Sequence, residues 1–148
     1  KNDMSNSLLS GMLLIPLKRF PMQNGDVLHG LKANENSFEG FGEAYFSFIN
    51  INYIKAWKKH RKATLNLMVP VGEIKFVLFD DREDSSTFEK KFSVTLSSDN
   101  YQRLTIPPML WMGFKGIGKQ NLLLDIMNIR HDLDDEDRSP VESIPYSW

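Results

Sequence analysis

Proline or glycine breaks nearly every apolar stretch of this chain before a helix can establish itself. The 148 residues hold 7 Pro and 9 Gly, and no segment keeps apolar side chains at i, i+3, i+4 and i+7 across three turns. What recurs is a short apolar run bounded by turn chemistry: GMLLIPLKRF, then QNGD, DVLHGLKA, NENSFEGFG and EAYFSFINI, followed by YIKAWKKH, LNLMVPVG, EIKFVLFDD, FSVTL, YQRLTI and NLLLDIMNI. Such runs read as strands. In EAYFSFINI the period is two: Glu43, Tyr45, Ser47 and Ile49 share one face, and Ala44, Phe46 and Phe48 share the other. That strand has an apolar back and a polar front, and the polar front is the side of interest. Many short strands within the length of one domain predict an all-β fold, a double-sheet jelly roll or a barrel, with extended terminal segments. The domain is expected over residues 11–148. Residues 1–10, polar and rich in small side chains, with Lys1 to Asp3 ahead of Met4, are expected to be disordered or foreign to the natural chain. The tail HDLDDEDRSPVESIPYSW is expected to run as a solvated acidic loop and then to tuck Tyr146 and Trp148 onto the body.

Composition narrows the chemistry. Lys and Arg number 18 against 19 Asp and Glu, a net charge of −1, so the chain lacks the basic field that a nucleic-acid partner would require. Cysteine is absent, which removes thiolate metal sites, disulfide scaffolds and thiol nucleophiles together and leaves three histidines as imidazole ligands or bases. The longest apolar run, Met12 to Ile15 reaching Leu17 through a proline, falls far short of the ~20 residues that cross a bilayer, and no secretory pattern precedes it. A cytoplasmic protein with no membrane partner is expected.

Between Trp57 and Gly72, the residues Lys58, His60, Leu65 and Gly72 fall at the spacing of the first cupin motif, and Pro107, Met109 and Met112 in IPPMLWMGF at the spacing of the second. Of the four metal-ligand positions only His60 keeps a ligand. Leu65 cannot ligate, the Met112 thioether is a poor partner for hard or borderline cations, and Lys58 would have to lose its proton. No metal and no cofactor is expected. The segments YIKAWKKH, TLNLMVPVGEIKFVLFDDREDSST and IPPMLWMGF place Gly72, Asp80, Arg82, Ser85, Thr87, Ile106, Pro107, Gly113 and Phe114 in one arrangement. That arrangement resembles the signature of the dTDP-4-dehydrorhamnose 3,5-epimerase (RmlC-like) family of metal-free cupins, with this chain a divergent member. The resemblance implies a cupin-type double-stranded β-helix, a nucleotide-sugar substrate with dTDP as the suspected nucleotide, and a homodimer in which an N-terminal strand crosses to the partner sheet.

Matched residue by residue, the family's proton-abstracting histidine falls on Lys58, its phosphate-contacting arginine on Lys55, its G-K-L-V lysine on Leu65, its H-G-F histidine on Met112 and its acid tyrosine near Asp125. Positions two apart on a strand share a face, so Lys58 and His60 point the same way. Proton abstraction beside a carbonyl needs a base that titrates near the working pH and a group that stabilises the enolate oxygen. An imidazole meets the first demand unaided and an ammonium meets the second. His60 is therefore the candidate base, Lys58 the electrostatic partner of the enolate, and Glu43 or Asp125 the orienting or proton-relaying carboxylate. Asp125, set in an apolar strand, must be paired, protonated or facing a cavity. Lys55 is the candidate phosphate contact, with Glu43, Tyr45, Asn66 and Asn128 as candidate substrate-binding walls. Trp57 and Trp111 read as packing residues, and His29 and His131 as residues outside the chemistry. Two functions fit these residues. One is an epimerase of a nucleotide-linked 4-keto-6-deoxy sugar, serving deoxysugar and surface polysaccharide biosynthesis, with a 3,4-ketoisomerase as its variant. The other is a non-catalytic cupin that binds a nucleotide sugar or carbohydrate.

Overall fold

The computed structural model describes residues 7–148, so the expectation for residues 1–6 lies outside it. Its strands are β1 (Leu13–Pro16), β2 (Arg19–Phe20), β3 (Val27–Leu28), β4 (Glu43–Phe48), β5 (Ile54–His60), β6 (Leu65–Val71), β7 (Glu73–Phe79), β8 (Lys91–Ser97), β9 (Gln102–Ile106), β10 (Trp111–Gly116), β11 (Leu122–Met127) and β12 (Glu136–Arg138). Helical turns among the described residues are confined to two 3-10 segments, Leu133–Asp135 and Val141–Ser143. None is long and apolar enough to cross a membrane. Two five-stranded sheets, ordered β1-β9-β6-β11-β4 and β12-β5-β10-β7-β8, form the body, and β2 pairs with β3 as a separate hairpin. This is the all-β jelly roll expected from the strand pattern.

Each sheet turns an apolar face toward the other. Leu65, Leu67 and Val69 of β6 and Leu104 and Ile106 of β9 meet Ile74, Phe76 and Leu78 of β7 in one buried cluster, the usual way two alternating sheets exclude water. Gly72 alone joins β6 to β7. Its φ of +85° and a notional Cβ only 1.9 Å from the carbonyl of Gln120 leave no room for any other residue.

The DDREDSST segment is structural. Asp80, fully buried, accepts hydrogen bonds from Arg82 Nε (2.9 Å), Ser85 Oγ (2.6 Å) and Thr87 Oγ1 (2.6 Å). Burial alone would raise its pKa, but these bonds outweigh burial and hold the carboxyl well below the usual range. The same knot reaches back to the start of the body, where Arg82 Nη2 donates to the Ser10 carbonyl (2.7 Å), Thr87 Oγ1 accepts from the Ser10 amide (2.9 Å), and Leu9 is buried. Order therefore begins ahead of Gly11, because residues 9 and 10 have partners waiting in the DDREDSST turn.

The acidic tail also departs from expectation. Instead of a solvated loop, Glu136–Arg138 adds to the free edge of β5 as β12, pairing Glu136 with His60 and Arg138 with Lys58. Beyond it Ile144, Tyr146 and Trp148 cover Trp57 and Val77 on the outer face of that sheet. The Trp57 and Trp148 rings lie 5.6 Å apart, so the packing expected of Tyr146 and Trp148 is present.

Candidate active site

A cavity of about 610 Å³ opens between the two sheets. Both sheets supply its lining. From β5, Lys58 and His60 project to the same side, joined by Lys55, with Met112 and Phe114 of β10 beside them and Arg138 of β12 at the rim. The opposite wall is the inner face of β4 and β11, where Tyr45 and Asp125 are direct cross-strand partners and Ser47 and Leu123 are the next pair. The polar front of EAYFSFINI thus faces the cavity, and its apolar back, Phe46 and Phe48, lies on the outer surface.

His60 is buried, and its Nδ1 lies 3.0 Å from Asp135 Oδ2. A carboxylate only accepts, so Nδ1 carries the hydrogen, and in the neutral form of the ring the lone pair a general base requires is then on Nε2. Asp135 is held in turn: it is 1% exposed, and its other oxygen accepts the Lys62 amide. The Leu133–Asp135 turn that presents it is capped by Asp132, whose side chain accepts from the Asp134 amide at 3.0 Å. Glu43 or Asp125 was expected as the orienting or proton-relaying carboxylate, whereas the carboxylate that hydrogen-bonds His60 is Asp135. No local spacing could have found it, because 75 positions separate it from His60 and the neighbouring acidic residues made the segment read as solvated.

Lys58 Nζ lies 3.8 Å from Glu136 Oε2, a buried carboxylate that also has His131 Nδ1 at 3.2 Å and Arg138 Nη2 donating to its other oxygen at 2.9 Å. The Lys58 side chain is about one-third exposed and lines the cavity, so it has a carboxylate neighbour without being enclosed. Arg138, largely exposed at the rim with Lys55 nearby on the lining, was not foreseen as a site residue. Across the cavity, Asp125 is 8% exposed and its Oδ1 is enclosed with no hydrogen-bond partner. Burial lifts its pKa to about 7, with the Lys58 charge pulling down and Glu43 pushing up. Tyr45 donates its hydroxyl to Met127 Sδ at 3.1 Å. Burial, then Asp125, Glu43 and Glu136, push the phenol up to about 12.

The remaining candidates stand elsewhere. Glu43 accepts the His131 amide and lines a separate hollow with Arg130 and His131. Asn66 points away from the cavity. Its Nδ2 donates to the Ser37 carbonyl (2.9 Å) and its Oδ1 accepts from Thr105 Oγ1 (2.6 Å). Asn128, past the end of β11, accepts the Thr64 amide at 2.7 Å. Both asparagines have their oxygens committed to holding the scaffold, so neither serves as the substrate wall expected of it. Among the described residues, no three His, Asp or Glu side chains converge in a way that could hold a metal ion.

Residues 51–137, which carry β5 through β11, Asp135 and most of β12, match the model of the dTDP-4-dehydrorhamnose 3,5-epimerase family. The chain belongs to this family. The crystal structure of a dTDP sugar isomerase from Desulfovibrio desulfuricans G20 superposes with a TM-score of 0.91 at 39% identity, covering 96% of this chain and 94% of that one. The probable low-salt glycan biosynthesis epimerase Agl13 of Haloferax volcanii is 31% identical over 127 residues, 84% of this chain and 80% of its own. The spore coat polysaccharide biosynthesis protein SpsL of Bacillus subtilis strain 168 is 29% identical over 146 residues, 95% and 97% of the two chains.

Proposed function

We propose that the protein epimerises a nucleotide-linked 4-keto-6-deoxy sugar, with dTDP as the nucleotide, by proton abstraction next to the C4 carbonyl, as a step in glycan assembly. The observation that carries this reading is the His60–Asp135 pair on one cavity wall, with an ammonium two residues away on the same strand face. A neutral imidazole with Nε2 free can take a proton from the carbon beside the carbonyl. The C–H electron pair then becomes the carbon–carbon double bond of an enolate, whose oxygen the Lys58 ammonium stabilises. Lys55 and Arg138 supply positive charge for the diphosphate, Arg138 with the planar fork that suits it.

The protein is further proposed to work as a homodimer of identical copies. Phe46 and Phe48, 64% and 72% exposed on the outer face of the edge strand β4, form an apolar surface of the kind that a second copy covers. Incubation with dTDP-4-keto-6-deoxyglucose in heavy water, followed by NMR at C3 and C5, tests the catalytic reading. The protein should exchange hydrogen at one or both carbons, and His60→Asn should abolish that uptake. Binding without exchange would make it a carbohydrate-binding cupin, movement of the carbonyl would make it a 3,4-ketoisomerase, and unchanged uptake by His60→Asn would remove the base assignment.

A further inference from the structure

Two cations that the proposed reaction uses stand side by side. Lys58 of β5 and Arg138 of β12 are direct cross-strand partners, and like charges placed opposite one another on a ladder repel. Left to themselves, both long side chains would swing out to solvent. Glu136 lies two residues before Arg138 on β12, so it shares that face and sits diagonally from Lys58. We propose that Glu136 is a positioning residue that holds Lys58 and Arg138 at a fixed spacing on the cavity wall, and so sets how far the sugar carbonyl lies from the diphosphate. The inference rests on the epimerase reading above and adds to it a residue that takes no part in the proton transfer itself.

The two oxygens of this carboxylate face different cations. The side chain is 3% exposed. Oε1 accepts from Arg138 Nη2 at 2.9 Å, while Oε2 has Lys58 Nζ at 3.8 Å and His131 Nδ1 at 3.2 Å and accepts no hydrogen bond among the described residues. A buried carboxylate oxygen without a hydrogen bond is costly to keep, and the cations converging on it answer its charge. That charge is also felt by Tyr45 on the opposite wall, as expected of a side chain turned toward the cavity.

Because one carboxylate holds both cations, their separation follows from the register of β5 and β12 rather than from two independent sets of rotamers. Side chains ordered before substrate arrives cost less to order on binding, and a reacting group misplaced by ~1 Å loses on the order of 10²-fold in rate. The arrangement has an opposing effect. A negative charge behind Arg138 works against the diphosphate.

The test therefore looks for changes of opposite sign in binding and in turnover, using the full chain. Glu136→Gln keeps the shape and removes the charge, which releases Lys58 and leaves Arg138 wholly to the diphosphate. Titration calorimetry with dTDP should show binding tightened about 3-fold at low salt, a gain that fades as salt is raised. Turnover of dTDP-4-keto-6-deoxyglucose, read as hydrogen exchange in heavy water, should fall ~10- to 100-fold in kcat. A side chain that only maintained the fold would weaken both, so weakened dTDP binding would overturn the assignment. The loss must also run through Lys58. In a Lys58→Met background, adding Glu136→Gln should cost less than ~2-fold further, and losses that multiply would refute a role exerted through Lys58. Glu136→Asp keeps the charge on a shorter stem and serves if the amide unsettles β12. Its dTDP affinity should match the parent while kcat still falls several-fold; an unchanged kcat would show that Glu136 sets no spacing. Absence of exchange in the unaltered protein would sink the epimerase reading, whereas the dTDP titrations judge the charge of Glu136 independently of it.

Discussion

Replacing Asp125 with Asn should stabilise the protein at neutral pH and make little difference in acid. The amide matches the neutral carboxylic acid in size and hydrogen-bonding reach, so the native packing around it changes little. What differs is titration. The carboxyl is 8% exposed, and burial raises its pKa from 3.8 to about 7. The folded protein therefore binds this proton more tightly than the unfolded chain, and the stability it contributes is fully present below 3.8 and lost as pH rises through about 7. Each unit of that window is worth ~1.4 kcal/mol, so the whole displacement costs on the order of 4 kcal/mol once the solution is above neutrality. Asparagine does not titrate and escapes the loss. Urea denaturation of both proteins at fixed protein concentration, from pH 5 to pH 8, should show the variant gaining ~1.4 kcal/mol per pH unit on the parent up to about pH 7 and a constant margin beyond. A margin that does not change with pH would mean that Lys58 already compensates an ionised Asp125, and the argument for a neutral acid in the cavity would fail.

Asp135→Asn should cut turnover by ~10²–10⁴-fold while moving KM only a few-fold, because it leaves the cavity shape intact but no longer fixes the His60 tautomer; steady-state kinetics would show the split, and an unchanged kcat would free His60 from its partner. Paired substitutions Phe46→Lys and Phe48→Lys should convert the proposed dimer to monomer in light scattering, since two buried charges at an interface core are far costlier than the phenyl contacts they replace. A dimer that survives them must use another face.

The fold was legible because β patterning and turn chemistry act locally. EAYFSFINI announced its two faces from alternation alone, and Gly72 sat where a one-residue turn needs positive φ. Lys58 and His60 could be placed together for the same reason, a period of two on one strand. Asn66 and Asn128 misled because polarity marks a need for hydrogen bonds without saying which face supplies them; Thr105 and Thr64 meet that need. Asp135 stayed hidden because its meaning depends on an edge strand forming with β5, and nothing in HDLDDEDR records which acidic residue will be buried. Asp125 was the opposite case, since a lone carboxylate among Leu and Ile already demanded a special environment.

The pairing of β12 with β5 makes chemical competence hinge on a latch of three residues. The barrel can hold its shape with that latch open, since the apolar cluster between the sheets draws on other strands. His60 would then lose the carboxylate that fixes its tautomer, and the rim would lose Arg138. Short edge elements open at lower free energy than the core they border. On warming, proton transfer should therefore fade while the barrel's spectroscopic signal is still intact, and substrate bound across Arg138 and His60 would hold the latch shut.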